Sequence, residues 1–506
     1  MKKKILTILL ATAVLSTTAC NKAEYRLNRK PDASTDTQIL KAVGIPSELT
    51  EDVSVPSLWD GTLENRATRA KNQYDVSMKL DYITRKLTVH EDLTYINNTG
   101  TALNELYFNV VAGGYYDKGG NMAVHSVLIN GNSAAFEESK ETVYRLPLSF
   151  DLEAESTVRI EIEYTITIPD GAYRLGTTGN TYNLGHAILT PAMYEDGKWL
   201  IEPYIEVGDA FYSEISDYRV SFDVPEGYKV AATGTKKNDV YVAEDVRDFA
   251  AVVSSEMNLL CEEYGDTAIF VYYPKKCSKA ADHVLDTTKQ ALDLFNSILG
   301  KYPYETLTVV LSTDTIGLGG LEYPGLITVS TDMKLESGFK YENPAVASLT
   351  RTTVNGIAHQ WFYGIVGNDQ VRHAWIDEGM CRFMEALYCD SYNEGQDEYT
   401  LMIELGNEDQ GVYDAYHGVI EDCFPIKLGS SLYDIADPHP QEYIEISYKA
   451  AAMMYHIYKD LGPDAFVSAI RDYVYYFAYT EVTPAEFTYF WSMRGDFEEM
   501  FSIYFS

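Results

Sequence analysis

One stretch, Thr352 to Tyr388 (TTVNGIAHQWFYGIVGNDQVRHAWIDEGMCRFMEALY), constrains the fold of this chain more than any other. Asn343 and Pro344 offer an N-cap and a first-turn proline ahead of it, and no proline interrupts it. Val354, Ile357, Ala358, Trp361 and Phe362 recur at helical spacing, which predicts a helix with one apolar face. Gly367-Asn368-Asp369 breaks that pattern, and a second helical run begins near Asp377. The pair His359 and Glu378 spans the break, with eighteen residues between them.

The sequence before this stretch has a different period. From about Asn72 to Cys261, Val76, Met78, Leu80 and Tyr82 alternate with polar residues, as do Val158, Ile160, Ile162, Tyr164, Ile166 and Ile168. Asn97-Asn98-Thr99-Gly100, Asn130-Gly131 and Pro169-Asp170-Gly171 supply turns. A mainly antiparallel β domain of sandwich or saddle type is predicted. After Asp266 a strand (Ala268 to Tyr273) leads into a helix with Val284, Leu285, Leu292, Phe295 and Leu299 on its apolar face. Gly300 ends that helix, and Leu307 to Leu311 reads as a buried strand. From about Gln396 the pattern is mostly helical, including Met453 to Leu461, Pro463 to Phe477 and a helix opened by Thr483-Pro484. The expected architecture is multidomain α+β: a β saddle domain at 69–264, then an α+β domain at 265–506 with a helical end.

The N-terminus reads as a processing segment. Lys2, Lys3 and Lys4 precede the apolar run Ile5 to Leu15, which is too short to span a bilayer. The following Thr17-Thr18-Ala19-Cys20 resembles a bacterial lipoprotein cleavage box. It implies a signal peptide at 1–20 and a lipidated Cys20, although leucine would be usual where Thr17 stands, and plain secretory cleavage is the alternative. Residues 21–68 are polar and aperiodic, as a tether would be. The expected location is exported, extracytoplasmic and membrane-anchored. A formal charge of −35 repels nucleic acid phosphates and excludes them as partners. Besides Cys20 there are five cysteines, Cys261, Cys277, Cys381, Cys389 and Cys423; the number is odd and the spacing fits no metal framework.

His359-x18-Glu378, with AHQWFYGIVGND and W-I-D-E-G around it, resembles the aminopeptidase N family of zinc metallopeptidases, the gluzincins. The run GDAFYSEISDYRVSFDVPEGYKVAATG from Gly208 resembles the end of that family's β saddle domain. The family carries H-E-x-x-H on its first helix and a glutamate eighteen residues after the second histidine. Two imidazoles one turn apart and a carboxylate hold zinc, water takes the open position, and the glutamate beside the first histidine removes its proton. His359 and Glu378 match the second and third ligands. Asn355 stands where the first ligand would be, and Gly356 where the base would be. An amide is a poor zinc ligand beside imidazole, glycine moves no proton, and losing a base alone costs roughly 10²–10⁴ in rate.

The resemblance implies two more site elements. Gly319-Gly320-Leu321-Glu322-Tyr323-Pro324-Gly325 is similar to the family's G-x-M-E-N edge strand, with Leu321 in place of methionine and Glu322 matching the carboxylate that binds a free α-amino group. Ser447-Tyr448-Lys449-Ala450-Ala451 is similar to Y-x-K-G-A, so Tyr448 matches the oxyanion donor. His373 sits five residues before Glu378, and nothing in its spacing aims it at the metal position. The implied cofactor is zinc, with occupancy in doubt, and the implied ligands are peptides or protein N-termini. The expectation is an impaired family member that retains a peptide-binding cleft. Its rivals are an active metallo-aminopeptidase with a non-standard third ligand and a structural surface protein without a ligand.

Overall fold

The computed structural model describes residues 70–312, 319–331, 344–392, 427–435 and 441–505. The processing segment with Cys20, the tether, the Asn343 cap, Cys423 and the start of the helical region at Gln396 lie outside the described residues.

Alternation in the first half becomes strands. Asn72–Asp81 buries Tyr74, Val76, Met78 and Leu80 and exposes the residues between them. It pairs antiparallel with Lys86–Ile96 and parallel with Ser216–Asp223, in the middle of an eight-stranded sheet whose other pairs are antiparallel. Two four-stranded sheets and a two-stranded ribbon (Tyr194–Glu195 with Lys198–Trp199) complete this unit, around a core that includes Val89, Phe108, Leu146, Ile160, Tyr164 and Val220.

The second unit's sheet begins earlier than the boundary drawn at 264. Met257–Tyr264 forms a hairpin with Thr267–Pro274 through Gly265, and both strands enter a separate five-stranded sheet. An alternating strand reads the same whichever sheet it joins, so the sequence placed this one with the strands before it. Thr306–Ser312 and Leu326–Ser330 follow as parallel neighbours, and Gly320–Tyr323 closes the sheet as an antiparallel edge. Thr306–Ser312 is buried at every position, as a strand covered on both faces must be.

Helix α1 (Ser278–Leu299) crosses between the two parallel strands it links. Helices α2 (Pro344–Ala358) and α3 (Trp375–Tyr392) are the pair anticipated around the glycine break. Helix α2 stops before the apolar periodicity does. His359 N–H still bonds the Asn355 carbonyl at 3.1 Å, but Trp361 N–H reaches back only to Ala358 at 3.0 Å, so the chain tightens out of the helix. Beyond these lie α4 (Leu432–Ile435), α5 (Gln441–Leu461), α6 (Pro463–Phe477), α7 (Pro484–Ser492) and α8 (Glu498–Phe505). Thr483 and Glu486 cap α7 reciprocally.

Two close approaches fix these parts around the site. Helix α5 lies against α3 where a Cβ on Gly379 would meet the Ala450 Cβ at 2.3 Å. Arg247 reaches across from the β unit, donating from Nε to the Tyr363 carbonyl (2.9 Å) and from Nη2 to the Thr480 carbonyl (2.7 Å), and pairing through Nη1 with Glu481 (2.6 Å). No disulfide joins Cys261, Cys277, Cys381 and Cys389, and no described helix is long and apolar enough to cross a membrane.

Candidate functional site

The junction of α2 and α3 brings the two motif residues together. His359 Nε2 lies 3.8 Å from Glu378 Oε1, and both side chains are buried. Asn355 sits one turn before His359, and its Nδ2 is buried without a hydrogen-bond partner among the described residues. Gly356 is covered by the sheet: a Cβ there would stand 3.3 Å from Ile327 Cγ2. Helix α2 therefore offers His359 to the centre and no second imidazole or carboxylate.

The tyrosine that reaches this pair is Tyr443. Its hydroxyl lies 2.6 Å from Glu378 Oε1 and 3.3 Å from Asp209 Oδ2. A hydroxyl has one proton, and the shorter contact takes it, so Glu378 is the acceptor. The ring rests on Gly208, which adopts φ +58°; a Cβ there would meet the ring at 2.3 Å. Tyr448, expected as the oxyanion donor, instead places its ring 4.8 Å from the Arg382 guanidinium carbon. On α5, Tyr443, Ser447 and Ala450 share one face at helical spacing, and Ala450 is the residue pressed on Gly379. Tyr448 is rotated from Tyr443 by about 140° at 100° per residue. The drifted motif obscured this, but the face shared with Ala450 was a usable signal.

Glu322 lies on the edge strand, buried, as does Leu321, whose side chain joins a small core with Val252, Met257 and Leu326. Gly320 allows that edge to approach α2, since a Cβ there would stand 2.7 Å from Thr352 Cγ2. Gln360, not singled out beforehand, pins the hairpin. Its Nε2 donates to the carbonyls of Tyr323 (3.2 Å) and Gly356 (3.1 Å), and its Oε1 accepts from Gly325 N–H (2.7 Å).

Two residues of the β unit, also unforeseen, complete the cluster. Arg174 pairs through Nη2 with Asp209 Oδ1 and stands 3.7 Å from Glu322 Oε1. Two carboxylates, Asp209 and Glu322, thus flank one guanidinium, and the Tyr443 hydroxyl links Asp209 to a third, Glu378. Burial, then the neighbouring Asp209 carboxylate, pushes the Glu322 carboxyl well above the usual range, while Arg174 pulls the other way. Burial likewise lifts Asp377, on the first turn of α3, to about 7; its oxygens accept from Asn368 (3.1 Å) and Gln370 (2.8 Å). His373 is not part of this cluster. It lines a separate groove of about 880 Å³ with Glu195, Tyr212, Asp369 and Glu481.

These residues do not make up a three-ligand zinc site. His359 and Glu378 are two donors, Tyr443 occupies the Glu378 oxygen nearest His359, and Asn355 offers only a neutral amide, a weaker zinc ligand than an imidazole or a carboxylate. Among the described residues no three His, Cys, Asp or Glu side chains converge as metal ligands.

Residues 283–501 match the model of the peptidase family M1 domain. Aminopeptidase 2 of Candida albicans is 22% identical over 369 residues, covering 69% of this chain but only 38% of that protein. Leucine aminopeptidase 2-1 of Meyerozyma guilliermondii is 21% identical over 85% of this chain and 67% of its own length. The M1 zinc metallopeptidase from Deinococcus radiodurans shares the fold with a TM-score of 0.60 at 16% identity, over 86% of this chain and 94% of that one. A mutant of that enzyme, with a TM-score of 0.59, was solved with a Tyr-Ser-Ala substrate bound. The β unit, the five-stranded sheet and the α2–α3 pair thus share the architecture of M1 metallopeptidases, and residues 283–501 carry a peptidase family M1 domain.

Proposed function

We propose that this chain is an exported, surface-held member of its family that binds the α-ammonium end of peptides at Glu322 without hydrolysing them. The observation that carries this reading is the Tyr443 hydroxyl on Glu378 at 2.6 Å, which engages the one carboxylate left over from the zinc motif. Activating a water needs a metal held by three ligands and a base for its proton. Asn355 and Gly356 stand at two of those positions. Binding an ammonium needs much less. Asp209 and Glu378 together carry more negative charge than Arg174 alone balances, and an ammonium reaching buried Glu322, which the free site pushes toward its neutral form, favours the carboxylate through a charge-assisted hydrogen bond. The basic and apolar N-terminal run ending at Cys20 supports export with a lipid anchor.

The test is zinc content and N-terminal residue release by the purified chain, beside the double substitution Asn355→His with Gly356→Glu. Little zinc and no release in the wild type, with both gained by the revertant, is the expected result. The rival reading, an active enzyme with a non-standard ligand, has one observation in its favour. Asp209 is a carboxylate within 3.3 Å of the hydroxyl that holds Glu378. Stoichiometric zinc and chelator-sensitive release in the wild type would establish that rival instead.

A further inference from the structure

The groove of about 880 Å³ that His373 lines shares no residue with the Glu322 cluster. Its walls come from the β unit, the α2–α3 link and the turn between α6 and α7, and its size is that of a ligand cleft, roughly 300–1,000 Å³. Six carboxylates line it, Glu195, Asp196, Glu214, Asp369, Glu481 and Glu486, against the cations Lys71, Lys198 and Arg372. Two of those cations already answer acids outside the groove. Lys71 pairs with Asp217 (2.7 Å) and Asp245 (2.6 Å), and Arg372 pairs with Glu202 as well as Asp369. Arg247 reaches in to Glu481 (2.6 Å). Glu195 and Glu486 are met by neutral donors instead, the Tyr212 hydroxyl (2.6 Å) and Thr483 N–H (2.9 Å). The groove is left negative. Burial raises the Glu195 carboxyl above its ordinary range, and the charges of Asp369 and Glu481 add to that against the pull of Tyr212 and Arg372. A cation beside Glu195 offsets that repulsion.

The backbone of the same wall points to the form of the ligand. Tyr194–Glu195 and Lys198–Trp199 make a two-stranded ribbon, and among the described residues neither strand has a second neighbour. Tyr194, Glu195 and Lys198 line the groove. An open strand edge offers its N–H and C=O groups to an added extended segment. Tyr194, Tyr212 and Tyr476 also line it, and Tyr476 is 47% exposed. Their ring faces attract a guanidinium or an ammonium. Strand edge, ring faces and carboxylates thus select one ligand chemistry.

We propose that this groove docks an extended, arginine- or lysine-rich segment of a partner protein. The segment's backbone runs along the ribbon, and its cationic side chains meet Glu195, Asp196 and Glu486. The formal charge of −35 draws a basic partner at long range and disfavours a second copy of this chain. The Glu322 site takes the end of a peptide, whereas this groove takes side chains from within one. Neither assignment depends on the other.

The experiment is a fluorescence-anisotropy titration of the purified chain with dye-labelled Ac-Gly-Arg-Ala-Arg-Ala-Arg-Gly-amide, beside the same peptide with glutamine for arginine. Acetylation removes the α-ammonium, so Glu322 takes no part in the signal. The arginine peptide is expected to bind roughly tenfold or more tightly than the glutamine one, and to weaken as salt rises. Glu195→Gln with Glu486→Gln keeps both local hydrogen bonds and should weaken binding roughly tenfold. Tyr476→Ala, on the exposed rim, tests the ring face without touching the core and should weaken binding roughly threefold. Equal binding of the two peptides, or unchanged affinity in the glutamine double variant, would overturn the assignment. Arg66 and Arg69 lie just before Ala70, which lines the groove. If Arg66→Glu with Arg69→Glu tightens the arginine peptide roughly tenfold, the groove serves the chain's own segment and the partner is overturned; unchanged affinity supports the partner. No binding of the arginine peptide at low salt sinks the docking site and leaves the Glu322 reading intact.

Discussion

Tyr443 donates its hydroxyl proton to Glu378 Oε1 at 2.6 Å, while His359 Nε2 stands 3.8 Å from the same oxygen. A hydrogen bond thus occupies the oxygen through which a glutamate and a histidine of this spacing would share a metal. A hydrogen bond to a carboxylate contributes about 1.5–3 kcal/mol. Tyr443→Phe keeps the ring on Gly208 and removes only that bond, so it should lower unfolding free energy by that amount in denaturant titration. Tyr448→Phe should cost less than about 0.5 kcal/mol, because the contact of its ring with Arg382 survives. Equal losses would mean that Tyr443 is not the tyrosine that matters.

The contact between α3 and α5 gives a steric prediction. A Cβ on Gly379 would lie 2.3 Å from the Ala450 Cβ and 3.1 Å from the Ala450 carbonyl carbon. Backbone cannot rotate aside, so Gly379→Ala must push the helices apart and should destabilise the fold by about 1–3 kcal/mol or more. Adding Ala450→Gly removes the nearer clash and leaves the farther one, so rescue should be partial. Thermal unfolding of the two variants checks this, and an undisturbed single variant would show that the helices pack more loosely than this.

The β unit carries a pH dependence of known sign. Glu91 is fully buried, accepting from the Tyr164 hydroxyl (2.8 Å) and from Leu189 N–H (3.1 Å). Burial raises its carboxyl to about 8, against the ordinary 4.5. A group raised in the folded state contributes stability that is fully present below about 4.5 and is lost as pH rises through about 8. Stability should fall across that window by roughly 1 kcal/mol per pH unit from this residue. Glu91→Gln should flatten the slope, and an unchanged profile would assign the dependence to another group.

How much of this was legible in the sequence depended on range. The helix pair, the alternating strands and the edge strand with Glu322 follow local patterns of period 3.6 and 2, and local patterns survive into structure. His359 and Glu378 were legible because both flank one break. Arg174, Asp209 and Arg247 were not. They arrive from segments outside any regular strand, and their partners lie 35 to more than 200 residues away, a separation no periodicity encodes. Tyr443 fell between these cases. It sits on a predictable helical face, but a drifted motif drew the eye to Tyr448.

Asp209 and Glu322 should separate as one carboxylate that holds the fold and one that holds a ligand. Asp209 is the close partner of buried Arg174; Asp209→Asn leaves that guanidinium with Glu322 at 3.7 Å and the Gly208 carbonyl at 3.4 Å. Breaking a buried pair from one side costs about 3–5 kcal/mol, and the Glu322 contact should hold the loss toward the lower figure. Glu322 is pushed toward its neutral form by burial and by Asp209, so an amide replaces it nearly isosterically. Glu322→Gln should therefore change stability by less than about 1 kcal/mol, yet an amide cannot draw an ammonium as a carboxylate does. Denaturant titration with and without leucinamide reads both properties at once. Glu322→Gln should keep its midpoint and lose the stabilisation by leucinamide, whereas Asp209→Asn should lose the midpoint first. If Glu322→Gln unfolds as readily as Asp209→Asn, both carboxylates are structural and the ammonium is bound elsewhere.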